Sequence, residues 1–126
     1  MRISLYTIGD ALHVLAIVQL DEEEVESLKN LMDQIEYHEL KDLVKSIFKS
    51  EVEEIKLSRG VVWYKGLEMP YLHLAFMLED SSFYHMDLVP TSITVFTNDD
   101  IFRAKYLIRK FFIEFFNKVS QSHRLK

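Results

Sequence analysis

The hydrophobic positions of this chain change period several times, and the changes predict the element order strand–strand–helix–strand–strand–strand–helix. Arg2–Ile8 and Leu12–Leu20 alternate around Gly9-Asp10 and read as a β-hairpin. In the second of these, Leu12, Val14, Ala16, Val18 and Leu20 share one face, while His13, Leu15, Ile17 and Gln19 share the other. The second face is only partly polar, which predicts a central strand covered on both sides. The pattern then lengthens to the helical period. Val25, Leu28, Leu31, Met32 and Ile35 recur after Asp21, an N-cap with Glu24 placed for a capping box. Leu40, Leu43, Val44, Ile47 and Phe48 resume the stripe after a five-residue step, so Glu22–Phe48 is one bent helix or two, with the slip at Tyr37-His38.

Strand character returns in Val52–Leu57 and Gly60–Lys65, with Ser58-Arg59-Gly60 as a turn or bulge between them. Gly66–Pro70 reads as a loop and Tyr71–Leu78 as a strong strand. Glu79–Pro90 reads as the longest irregular stretch, with an extended segment near Phe83–Leu88, and Ser92–Thr97 as the last strand. Asn98 or Asp99 is the expected cap of a final helix, Asp100–Val119. Its stripe is Ile101, Ala104, Ile108, Phe111, Phe112, Phe115 and Val119. The expectation is an α+β domain: a five-stranded, mainly antiparallel sheet with amphipathic helices packed on it. It spans residues 1–120 as a single domain, followed by a polar, frayed tail at 121–126.

Composition narrows the function classes. The 126 residues are 48% hydrophobic and 13% aromatic, nine of them Phe, which suits a globular core. Cysteine is absent, which removes disulfides, thiolate metal sites and a cysteine nucleophile. The net charge of −5 argues against a nucleic-acid partner, which needs clustered cations. The longest near-apolar run, Ala11–Leu20, is about half the roughly 20 residues of a spanning helix, and the start of the chain lacks a leader pattern. These features predict a soluble, cytoplasmic protein.

Catalytic and ligand chemistry leaves few candidates. Gly9, Gly60 and Gly66 are isolated, so no phosphate loop is present. The histidines, His13, His38, His73, His85 and His123, form no metal-binding spacing. His73, His85 and Asp87 are the one combination able to hold a divalent ion or run acid–base chemistry. A hydrogen-bonded strand histidine and an exposed loop histidine are the better explanation of them. Ser81 or Ser82 beside His85 is better explained as a polar loop, and the acids lie in caps and solvated faces. Neither a catalytic group, a cofactor nor a metal site is expected.

The last helix is more suggestive. Arg103, Lys105, Arg109, Lys110 and Lys118 flank its Phe-rich stripe, and Phe102, Tyr106 and Phe116 widen the apolar arc beyond one sheet contact. Seven Lys/Arg against one acid, Glu114, lie between Ile101 and Lys126, whereas Glu22, Glu23, Glu24, Glu26, Asp33, Glu36, Glu39 and Asp42 make the first helical region acidic. Helices of opposite sign favour protein association, including self-association. The candidate interaction surface is Arg103, Lys105, Tyr106, Arg109, Lys110 and Phe116 with Glu22, Glu26 and Asp33. An anionic membrane surface is the other reading of the basic helix, and nothing further in the sequence favours it.

Three segments carry a resemblance. Tyr71–Leu78 looks like the fourth strand, Ser92–Thr97 like the fifth strand, and Ile101–Phe112 like the second helix of the longin domain, part of the profilin-like group that includes roadblock modules. The order of elements resembles that group over most of the chain, without a diagnostic motif. The resemblance implies a non-catalytic module that binds small GTPases, trafficking or assembly subunits, or a second copy of itself as a homodimer. Two alternatives are a small-molecule sensor with an aromatic pocket lined by Trp63, Tyr71 and Phe76, and a small enzyme using His73, His85 and Asp87.

Overall fold

A computed structural model describes the chain except Ala11, Ser50, Glu51, Glu53, Leu125 and Lys126, with residues 119–124 described by backbone alone. The elements are β1 (Arg2–Ile8), β2 (His13–Gln19), α1 (Glu22–Gln34), α2 (Tyr37–Phe48), β3 (Ile55–Tyr64), β4 (Leu67–Met77), β5 (Phe83–Val89), β6 (Ser92–Thr97) and α3 (Ile101–Arg124). The fold is α+β, with one open antiparallel sheet in the order β1-β2-β6-β5-β4-β3. Two meanders, β1–β2 and β3–β6, join where β2 pairs with β6.

Several expectations change. The sheet has six strands, not five, because Phe83–Val89 is a full strand within the stretch expected to be irregular. Leu78–Ser82 closes the β4–β5 hairpin, with the Leu78 N–H donating to the Ser82 carbonyl at 2.7 Å and Ser81 in the left-handed region. Ser58-Arg59-Gly60 neither turns nor breaks the strand; β3 is continuous and pairs with β4 along its whole length. The expected loop at Gly66–Pro70 is mostly β4 itself, since a tight turn at Lys65-Gly66, both at positive φ, lets pairing begin at Leu67. The expected strand start at Val52 moves to Ile55, and the intervening Glu53 lies outside the described residues.

The stripe slip resolves as two helices. Ile35 and Glu36 both adopt extended backbone, and Glu36 starts α2 as its N-cap. The expected capping box forms at α1: the Glu24 N–H donates to Asp21 at 2.8 Å, and the Asp21 N–H donates to Glu24 at 3.1 Å. The cap of α3 is Asp100, not Asn98 or Asp99; its carboxylate accepts from the N–H groups of Phe102 and Arg103. Asn98 instead braces β5, accepting the Phe83 N–H at 2.8 Å. The helix also runs through residues 121–124, where a frayed tail is expected.

All three helices cover one face of the sheet. Val14, Ala16, Val18, Leu72, Leu74, Phe76, Tyr84, Met86, Leu88, Ile93 and Val95 point into them. Phe48 of α2 meets Phe76 and Tyr84, both at 4.8 Å between ring centres, and Phe111 of α3 at 6.4 Å. This aromatic cluster ties two helices to the middle of the sheet. Beneath it, the buried Tyr84 hydroxyl donates to Asp99 at 2.6 Å, which anchors the start of α3 to β5.

Among the described residues no helix covers the opposite face of the sheet. Leu15 and Ile17 of β2, expected to be covered from both sides, are only half-buried there. Their cover comes from cross-strand neighbours such as Tyr6, Phe96 and Thr94. No helix among the described residues is long and apolar enough to cross a membrane.

Candidate functional site

α3 divides cleanly into two faces. Ala104, Leu107, Ile108, Phe111, Phe112 and Phe115 are buried against the sheet and the other helices. The outer ridge carries Phe102, Tyr106 and Ile113, which are 80%, 63% and 45% exposed. The spacing from 102 to 106 to 113 follows one line on the helix surface, one and then two turns apart. Burying the inner stripe satisfies the apolar demand of the fold, so the outer aromatic residues owe nothing to folding. Ile113 was not singled out from sequence; its distance of seven residues from Tyr106 is the signal that places it on the ridge.

The candidate surface residues separate into groups. Lys105, Tyr106 and Arg109 are exposed, and Lys110 is half-buried with its ammonium 5.8 Å from the Tyr106 ring centre. Phe116 turns inward: it is half-buried, packs against the core and meets Phe115 edge-on at 6.5 Å. Arg103 is committed within the chain, donating to Asp80 at 2.6 Å and lying 3.5 Å from Asp99. The hydrogen bond to Arg103 pulls the Asp80 carboxyl down to about 2, and the same contact raises the Arg103 guanidinium above its ordinary value. Arg103 therefore locks the β4–β5 turn to α3. On α1, Glu22, Glu26 and Asp33 are exposed; Glu26 is 3.7 Å from Lys29. Among the described residues no ion pair joins α1 to α3, so the two charged faces remain open to other molecules.

The uncovered sheet face gathers a second set of groups. Directly paired residues of neighbouring strands share a face, so β4 and β5 place His73 beside Asp87 and Ala75 beside His85. His73, His85 and Asp87 are thus brought together, and His85 is a strand residue, not the loop residue expected. Asp87 Oδ1 accepts from the Tyr71 hydroxyl at 2.6 Å and lies 2.7 Å from His73 Nδ1. Burial raises the Asp87 carboxyl, but the hydrogen bonds from Tyr71 and His73 outweigh it and hold the group below its ordinary value. The same bond pushes the Tyr71 phenol up. An ionised Asp87 can only accept, so His73 donates from Nδ1, and in the neutral imidazole the lone pair is then on Nε2.

His85 sits 5.8 Å from His73 and 5.3 Å from Phe83, ring centre to ring centre. Phe83, Phe96 and His13 continue the row of rings towards β2, with His13 stacked on Phe96 at 5.2 Å. A groove of about 540 Å³ opens beside this row, bordered by Lys56, Ala75, Met77, Phe83 and His85. The residues suggested for a sensor pocket do not meet. Trp63 is 75% exposed on the β3–β4 hairpin, Tyr71 is held by Asp87 on the open face, and Phe76 is buried on the helix side. The possible serine nucleophiles are turn residues, and the Ser82 N–H donates to Asp80 at 3.0 Å. The one set of three metal-type side chains within 4.8 Å among the described residues is Glu36, His38 and Glu39, at the exposed start of α2. Glu39 already accepts the Glu36 N–H as a cap, so the set has a structural explanation.

Comparison with protein-family models, with curated proteins and with solved structures returns no match.

Proposed function

We propose that this chain is a non-catalytic protein-interaction module that docks an acidic protein surface along the outer ridge of α3. The observation that carries this reading is the exposure of Phe102, Tyr106 and Ile113 on a helix whose opposite face is fully occupied by the core. Lys105 and Arg109 border the ridge and form no ion pair among the described residues. An apolar strip with cations at its margin fits a partner with apolar contacts at the centre and acids at the rim. A second copy carries such acids on α1, at Glu22, Glu26 and Asp33, next to the helix that would receive them. The resemblance to longin-type modules adds small GTPases and trafficking or assembly subunits to the partner class.

Light scattering of the purified chain at low and high salt, with wild type and a Phe102→Ser/Tyr106→Ser double variant, tests self-association. A photo-crosslinking residue at position 113 in the source cells tests other partners. Assembly or a crosslinked protein that is lost in the double variant and in Lys105→Glu/Arg109→Glu supports the reading. A charge swap on α1, Glu22→Lys/Glu26→Lys, that restores assembly to the Lys105→Glu/Arg109→Glu variant identifies a second copy as the partner. A strictly monomeric chain that crosslinks to no protein refutes it.

A further inference from the structure

The geometry points to a divalent transition-metal site on the open sheet face, formed by the imidazoles of His73 and His85 with Asp87 behind the first of them. Three observations converge there. The carboxylate of Asp87, 2.7 Å from His73 Nδ1, selects the tautomer of the neutral ring that carries its lone pair on Nε2. A carboxylate on the far nitrogen of an imidazole is the arrangement that orients histidine ligands and raises their basicity in metal sites. Tyr71, donating to the same oxygen at 2.6 Å, holds that carboxylate in place.

The second observation is the distance to His85. With metal–nitrogen bonds of about 2.0–2.1 Å, two imidazoles on one ion have ring centres about 5 Å apart. The ring centres of His73 and His85, diagonal neighbours on paired strands, are 5.8 Å apart, so closing on a shared ion requires the side chains to turn towards each other. Third, the Phe83 ring meets the exposed His85 edge-on at 5.3 Å and gives it an apolar wall on one side. Asp87 does not join the two rings as a third direct ligand, because its oxygen lies on the Nδ1 side of His73. The protein thus offers two nitrogen ligands and leaves the other positions of the ion to water or to a molecule in the adjoining groove, which His85 borders. Two neutral imidazoles favour late first-row ions, with copper(II) bound most tightly in the order of divalent-ion affinity.

The test uses the full-length chain without an affinity tag. Isothermal titration with copper(II) and with zinc is expected to show one saturable equivalent, tighter for copper. His73→Ala and His85→Ala should each weaken binding by more than about tenfold, since the chelate is then broken. Asp87→Asn should weaken it by about 10–100-fold while leaving both ligands in place. Replacing His13, His38 and His123 with Ala should change nothing. The copper electron paramagnetic spectrum should report two equivalent imidazole nitrogens in wild type and one in either His variant. His73 and Asp87 are half-buried and His85 is exposed, so circular dichroism of the variants at these three positions should match wild type. Absence of a saturable equivalent, or binding that survives either His73→Ala or His85→Ala, overturns the proposal. The result is independent of partner docking on α3, which lies on the other side of the sheet.

Discussion

The division of α3 into a core face and a free ridge predicts opposite outcomes for two phenylalanines on the same helix. Phe111 has no solvent exposure and packs against Phe112 at 5.2 Å, Phe115 at 5.7 Å and Phe48 at 6.4 Å. Deleting such a ring to Ala removes its transfer free energy and leaves a cavity, at a cost of about 3–5 kcal/mol. The ring–ring contacts, about 0.5–1.5 kcal/mol each, place Phe111→Ala in the upper half of that range. A domain of this size has about 5–15 kcal/mol in total, so the variant loses a large part of its stability. At about 4 °C per kcal/mol, Tm falls by about 15–20 °C. Phe102 is 80% exposed, so Phe102→Ala should stay within about 0.5 kcal/mol of wild type. Urea unfolding followed by circular dichroism at low protein concentration measures both, with Phe111→Leu as a milder deletion if Phe111→Ala does not fold. At higher concentration any self-association through the ridge adds a concentration-dependent term to Phe102→Ala alone. Equal destabilisation by the two substitutions at low concentration would mean that α3 is rotated from the orientation described, and the proposed docking ridge would fall.

Three further outcomes follow from the polar contacts. Tyr84→Phe leaves the buried Asp99 without its 2.6 Å donor and should cost about 1–3 kcal/mol in urea unfolding, whereas Tyr71→Phe on the open face should cost less. Asp80 titrates near 2 because of its hydrogen bond to Arg103, below its unfolded value of about 3.8. Its contribution is therefore present above pH about 4 and lost as the pH falls towards 2; Arg103→Gln should flatten the stability profile across that window, by a small amount because the pair is exposed to solvent. Asp21→Ala removes the cap of α1 and should lower stability by about 1 kcal/mol without changing the unfolding slope.

Much of the layout was legible because it is local. Helical and strand periods are written in consecutive residues, and so is the capping box of Asp21 and Glu24. The inner stripe of α3 from Ala104 to Phe115 is buried as its spacing predicts. The extended segment expected near Phe83–Leu88 is a full strand, and the signals that kept it out of the strand count are local too. Ser81-Ser82 and Pro90 read as loop signals, and they are the two turns that bracket β5. A hairpin register drawn through those turns pairs His73 with Asp87, so the cluster was available from sequence once Phe83–Val89 is taken as a strand.

The sequence by itself determined the α+β class, the apolar faces, the opposite charge of α1 and α3, and the absence of cysteine and phosphate-loop chemistry. Tertiary structure alone decided which sheet face the helices leave uncovered, that Phe116 turns into the core while Phe102 does not, and that Arg103 is committed to Asp80. The physical reason is the range of the interactions. Periodicity follows from backbone geometry over a few residues, whereas strand order, helix rotation and side-chain partners follow from which distant surfaces bury the most apolar area together. β2 shows the difference: its alternation was read correctly, but the layer expected over Leu15 and Ile17 would have had to come from elements that pack on the other side.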